Sequence, residues 1–269
     1  AKVEPSATRA VRFDWPGQVL AIVALAALVD GLIDGGHRGF TSPLVVVALG
    51  VAVAGLAGFV LVQARSDHPM MPLGLFRSPG FRIALPVGFA FMVGNYGNVF
   101  VSSLFLQQHL GLSPLRAGFA FLPSAAFAVA GNLSSGPITN RFGPRLPIVG
   151  GLLLMVGGLL GLVLTAQLGS PLLVALLTVP IGAGGSLAMP PVTGVVLAGV
   201  DVDLAGTASA VFNTFRQVGG AVAIAVFGAF VADPGSFVTG LRASFLVAAT
   251  LLLITALLSL RIRRAPASA

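Results

Sequence analysis

Apolar residues run along the chain in eight long blocks, at about 15–36, 43–63, 82–107, 116–136, 146–166, 172–199, 210–232 and 240–260. Within each block they lie all the way round a helix instead of alternating, and each block reaches the ~20 residues that an α-helix needs to cross hydrocarbon. Strands of a membrane barrel would show period-two segments of about ten residues. Turn-forming segments separate the blocks, among them "GGHRGFTSP", "HLGLSPLRAG" and "ADPGSF". The pattern predicts an all-α integral membrane protein with eight transmembrane helices.

Composition agrees. The 269 residues are 56% hydrophobic and only 9% charged, with a mean hydropathy of +1.00, whereas soluble domains carry about 25% charged residues. Lipid must therefore solvate most of the surface. Cysteine is absent, which excludes disulfides, thiol catalysis and thiolate metal sites. The chain starts at Ala1 with no n-region, apolar core and cleavage site ahead of the first block, so the start reads as a cut or an internal boundary.

Charge sets an expected orientation. An even helix count puts both termini on one side, which then collects Lys2, Arg9, Arg12, Arg65, Arg77, Arg82, Arg141, Arg145, Arg216, Arg261, Arg263 and Arg264. The other side receives Arg38, Arg116 and Arg242. Positive residues gather in the cytoplasm, so both termini are expected there, in a cell membrane whose anionic headgroups take up the net charge of +7. Nucleic acid is not needed to explain it.

Polar residues inside the blocks are candidates for function, because lipid makes them costly. Asp30 and Asp34 lie four apart near the outer end of the first block, on one helical face. Either they trade a proton, one carboxylate raising the pKa of the other, or they mark, with His37, where the helix leaves the bilayer. Asn95, Tyr96 and Asn98 sit mid-depth in the third block, where amides either bind a ligand or hold helices together. Phe91, with Phe89 and Phe100, offers aromatic contacts. Gln107 and Gln108 end the block as vestibule or cap, and Asn132 is equally open. Arg216 and Gln217 open the seventh block, where Arg216 either pairs with Asp201 or Asp203 as a gate or anchors the helix. In the sixth block Gly184, Gly185, Pro190 and Pro191 predict a kink or break, a hinge or a packing feature. Gly157 and Gly161 suit close packing in the fifth. His37, His68 and His109 fall in three loops, so no metal site is expected, and no hydrolase motif is present.

The segment between the fourth and fifth blocks, "GPITNRFGPR", is no phosphate loop: it lacks a preceding strand and the GxxxxGK[ST] pattern. It reads as a short turn over 136–145. It resembles the loop motif G-x-L-x-D-R-x-G-R-R of the major facilitator superfamily. Gly136, Ile138, Arg141, Gly143 and Arg145 match, while Asn140 replaces the acid and Pro144 a basic residue. "FDWPGQVLAIVALAALVDGLIDGG", "LFLQQHLGLSPLRAGFAFLPSA" and "GTASAVFNTFRQVGGAVAIAVFG" are similar, in order, to three segments of the fourteen-helix drug:proton antiporters of the EmrB/QacA type.

That resemblance implies helices seven to fourteen of such a protein. Residues 1–13 would be a cytoplasmic tail or inter-bundle linker, 14–65 a two-helix hairpin and 66–81 a linker. Residues 82–269 would be the six-helix C-terminal bundle of two inverted three-helix repeats. The implied function is rocker-switch export of an amphipathic or cationic drug against protons. The proton gradient replaces any cofactor, and an N-terminal six-helix bundle is the partner. Substrate contacts would come from Asn95, Tyr96 and Asn98, with Phe91 and Gln107. The alternatives are a non-transporting eight-helix subunit or scaffold, and an exporter of an endogenous metabolite or antibiotic.

Overall fold

The computed structural model describes residues 14–66 and 68–262, apart from the side chain of His37. The tail over 1–13 and Lys2, Arg9, Arg12, Arg263 and Arg264 lie outside the described residues. The helices are α1 (Trp15–Arg38), α2 (Pro43–Arg65), α3 (Pro79–Leu104), α4 (Pro114–Phe119), α5 (Leu122–Phe142), α6 (Arg145–Thr165), α7 (Pro171–Ala198), α8 (Ala205–Phe230) and α9 (Phe237–Ser259). Among the described residues there is no strand. α4 and α5 form a single crossing, which gives eight candidate membrane spans. Asp14 and Ile262 then lie on the same side, called basal below.

A repeated dipeptide sets where helices begin. Ser78-Pro79, Ser113-Pro114 and Ser170-Pro171 each place proline at the first helical position, where its missing N–H costs nothing. In each the serine hydroxyl accepts a hydrogen bond from a first-turn amide, Phe81, Arg116 and Leu173 respectively. Apolarity alone misses part of the helix ends. α5 continues to Phe142, so Gly136, Asn140 and Arg141 occupy its last two turns and the expected turn over 136–145 shrinks to Gly143 and Pro144. Gly143 ends the helix at φ +82°, its amide donating to the Thr139 carbonyl at 2.8 Å. These turns are polar because they protrude past the hydrocarbon, and so the apolar block undercounts them.

The six spans from α3 to α9 pack as two related units, α3–α5–α6 and α7–α8–α9. α3 lies along α8 as α7 lies along α5; α3 packs on α9 as α7 packs on α6; α3 meets α7, and α6 meets α9. These pairings map onto one another when the units are exchanged. Three crossings per unit, an odd number, leave the second unit inverted with respect to the first.

Close approach at α6–α7 depends on glycine. A Cβ on Gly151 would strike the Gly184 carbonyl oxygen, and one on Gly184 would strike that of Gly151. Gly158 faces Ile181 and the Leu177 carbonyl. The packing glycines are thus Gly151, Gly158 and Gly161, the last against the Leu177 side chain; of the expected pair Gly161 packs and Gly157 faces open space.

α7 contains Pro180, Pro190 and Pro191 yet runs as one helix from Pro171 to Ala198, so the expected break is not formed. Pro191 has no N–H to give the Leu187 carbonyl. The hydroxyl of Ser135, fully buried on α5, donates to that carbonyl at 2.8 Å. A neighbouring helix thereby completes the hydrogen bonding that lipid cannot. Ser135→Ala leaves a buried carbonyl unpaired and is expected to cost about 1–3 kcal/mol, read as a lowered thermal midpoint of the purified protein. Ser135→Thr, which keeps the hydroxyl, serves as the reference.

The α1–α2 hairpin packs on α8, with Gly36 against Ala229. At its basal end the Asp14 carboxylate caps α1 through the Gly17 amide at 2.9 Å and accepts from Gln63 Nε2 at 2.6 Å. Gln63, 3% exposed, accepts the Met71 amide at 2.8 Å. The segment after α2 is thus tied back to the hairpin. Hydrogen bonds from Gln63, and then from the Gly17 amide, hold the Asp14 carboxyl below its ordinary pKa.

Candidate functional site

Lipid-facing helices here look alike on the outside. α9 exposes Leu246, Val247, Leu253, Ile254 and Leu257, and the hydroxyl of its exposed Thr250 is returned to the Leu246 carbonyl. α6 exposes Leu153, Leu154, Leu160 and Leu164. α3 and α8 differ. Glycines again bring the two together: Gly88 faces Phe212 and Arg216, Gly219 the Phe89 backbone, and Gly220 the Tyr96 ring. Beside this seam the surface is polar. Tyr96 is 43% exposed and Asn95 half-buried on α3, while Ser209, Asn213 and Gln217 lie exposed at four-residue intervals on α8. Ser103 and Gln107 extend the α3 stripe, Gln107 Nε2 donating to Ser103 Oγ at 2.7 Å.

Of the expected substrate residues, Asn95, Tyr96 and Gln107 therefore border one face. Asn98 does not: it is 3% exposed and accepts a hydrogen bond from Ser102 Oγ at 3.1 Å. Three residues along a helix rotate about 60° from the starting face, enough to turn Asn98 into the bundle. Phe91 is also interior, packed against Gly185 of α7. Gly184 and Gly185 thus serve close packing on α6 and α3. The stripe of Ser209, Asn213 and Gln217 was recoverable from its period of four, but it straddles the start of an apolar block and reads there as a helix end.

Arg216 does not pair with Asp201 or Asp203, both of which are exposed. Its guanidinium carbon lies 5.8 Å from the ring centroids of both Phe91 and Phe212, and Nε is buried without a hydrogen-bond partner. Eleven residues separate it from the start of α8, about 16 Å along the axis and beyond the reach of those loop acids.

The remaining candidates lie elsewhere. Asp34 forms an ion pair with Arg38 at 3.2 Å, and Asp30 is exposed one turn earlier. The Asp34 carboxylate is therefore engaged by a cation at the helix end instead of by Asp30; the His37 side chain lies outside the described residues. Gly136, Thr139, Asn140, Pro190, Pro191 and Arg261 border an open basal cleft of about 910 Å³. Arg141 lies over the Phe142 ring at 5.2 Å, and Arg145 begins α6. No group of three or more His or acidic residues is placed to hold a metal among the described residues.

Two pseudo-equivalent three-helix units with a polar seam along α3 and α8 are an arrangement suited to moving a solute past lipid. Residues 17–224 match the family model described as Major Facilitator Superfamily. The chain belongs to that superfamily. It is 37% identical over 225 residues to the multidrug resistance protein Stp of Mycobacterium tuberculosis, covering 83% of this chain and 42% of the relative. It is 34% identical over 240 residues to the methylenomycin A resistance protein of Streptomyces coelicolor, covering 89% and 50%. With the tetracenomycin C resistance and export protein of Streptomyces glaucescens it shares 34% identity over 226 residues, 82% of this chain and 41% of the relative. The chain thus spans about half the length of these relatives or less. Membership places it among membrane transporters and not among enzymes.

Proposed function

We propose that these residues form helices seven to fourteen of a fourteen-helix drug:proton antiporter of the EmrB/QacA type in the cell membrane. The basal side is cytoplasmic and holds both termini. α1 and α2 are the extra hairpin, and α3 to α9 the C-terminal bundle, facing an N-terminal bundle across the solute path. The observation that carries this reading is the exposed seam of Tyr96, Asn213 and Gln217. Polar side chains spread along a span are costly against lipid and are at home beside a water-filled cavity. The relatives' coverage supports the same division, since each is at least twice as long as the segment it matches. The solute is an amphipathic organic compound, driven outward by proton entry in a rocker-switch cycle.

The test is resistance conferred by the whole protein on a susceptible host, scored with methylenomycin A, tetracenomycin C and ethidium. Resistance to at least one is expected, abolished by a protonophore and lowered tenfold or more by Tyr96→Ala. No resistance to any of the three, or resistance indifferent to the protonophore, sinks the reading.

A further inference from the structure

The geometry points to Arg216 as the recognition point for an acidic group, a carboxylate or phenolate, on the transported compound. This rests on the reading of the α3–α8 seam as the solute path.

Arg216 is a cation within a membrane span, and charge at such depth is retained only when something pairs with it. Among the described residues nothing does. The acids of the sequence are Glu4, Asp14, Asp30, Asp34, Asp67, Asp201, Asp203 and Asp233, and none lies inside the spans of α3 to α9. Asp34 is paired with Arg38, and the Asp233 carboxylate accepts from Ser236 Oγ at 2.8 Å in its loop. Eleven residues of α8 lie between Arg216 and the basal end of the helix, about 16 Å along its axis.

What surrounds Arg216 is what an aromatic or amphipathic acid needs. Phe91 and Phe212 flank the guanidinium, each ring centroid 5.8 Å from its carbon, where a cation is attracted to the ring. Nε is buried without a partner, so a carboxylate that reached it and the neighbouring terminal nitrogen would be held bidentately. Tyr96 is 43% exposed on the same seam. Gln217, the next residue, is exposed there too. An anion on the exposed side of the seam meets the Tyr96 ring, the Gln217 amide and, behind them, one positive charge. The cationic drug expected from the family resemblance would instead be repelled by that charge.

The experiment uses the whole transporter in proteoliposomes and a matched pair of probes, 2-naphthoate and 2-naphthamide, which share shape and differ in charge. Binding is read from competition and from ligand-induced thermal shift. The unsubstituted protein is expected to prefer naphthoate at least tenfold. The preference should fall to about one in Arg216→Gln. It should survive, reduced, in Arg216→Lys, which keeps the charge but lacks the fork. No naphthoate binding, no preference, or a preference that persists in Arg216→Gln overturns the inference. If Arg216→Gln lowers thermal stability while leaving the preference intact, the partner of Arg216 is an acid from elsewhere in the transporter, which also overturns it. Labelling of Tyr96→Cys by a water-soluble maleimide separates the failures. Labelling without acid preference removes the anion site alone, and absence of both removes the seam as a solute path.

Discussion

Gly184→Leu is expected to abolish folded protein in the membrane. The new Cβ would meet the Gly151 carbonyl oxygen and sit 2.9 Å from the Leu154 Cβ, and backbone offers no rotamer through which to relax. Overpacking typically costs about 1–3 kcal/mol, and a clash with main chain on the opposing helix belongs at or beyond the upper end. The α6–α7 contact is one of the main contacts that join the second unit to the first, so its loss opens the bundle there. Gly157→Leu is the control, since nothing lies within 4 Å of its added Cβ and leucine is the better helix former. Monodispersity on size exclusion and the thermal midpoint check both. Equal behaviour of the two variants contradicts the packing described.

A second expected result distinguishes lipid from water on two surfaces of equal exposure. Val99 on α3 and Leu246 on α9 are both 46% exposed. Leu246 belongs to a face whose other exposed side chains are apolar or return their hydroxyl to the backbone, whereas Val99 lies between Tyr96 and Ser103 on the polar stripe. Leu246→Asp is expected to cost about 2.5–3.5 kcal/mol, the insertion penalty for an acid near a helix centre. Val99→Asp should cost well under half of that. Membrane yield and unfolding midpoint of the whole protein give the comparison. Equal penalties would place Val99 against lipid.

The eight crossings were legible in the sequence because block length and hydropathy are set by the bilayer and not by neighbours. The helix ends were less so: α5 runs on through Gly136, Asn140 and Arg141, polar residues that periodicity assigns to a loop. Within the spans, the sequence showed which residues are small or polar but not which way they face. Asn95 and Asn98 look equivalent on the page, yet one borders the seam and the other bonds Ser102. Gly157 looks as suited to packing as Gly151, but rotation about the α6 axis decides between them. Pro191 predicted a break that Ser135, 56 residues earlier, repairs from another helix. Arg216 suggested loop acids as partners because they are near in sequence, while helical rise carries it away from them and onto Phe91.

The most direct test of the account is residue accessibility in the whole transporter, and the absence of cysteine from this chain suits it. Single cysteines at Tyr96, Gln217 and Leu246, each in a background cleared of any other cysteine, would be exposed to a membrane-impermeant maleimide in sealed and permeabilised vesicles. Tyr96→Cys and Gln217→Cys are expected to react and to be protected by an exported compound, while Leu246→Cys stays unmodified. Failure of the two seam positions to react, or reaction of all three alike, would contradict it.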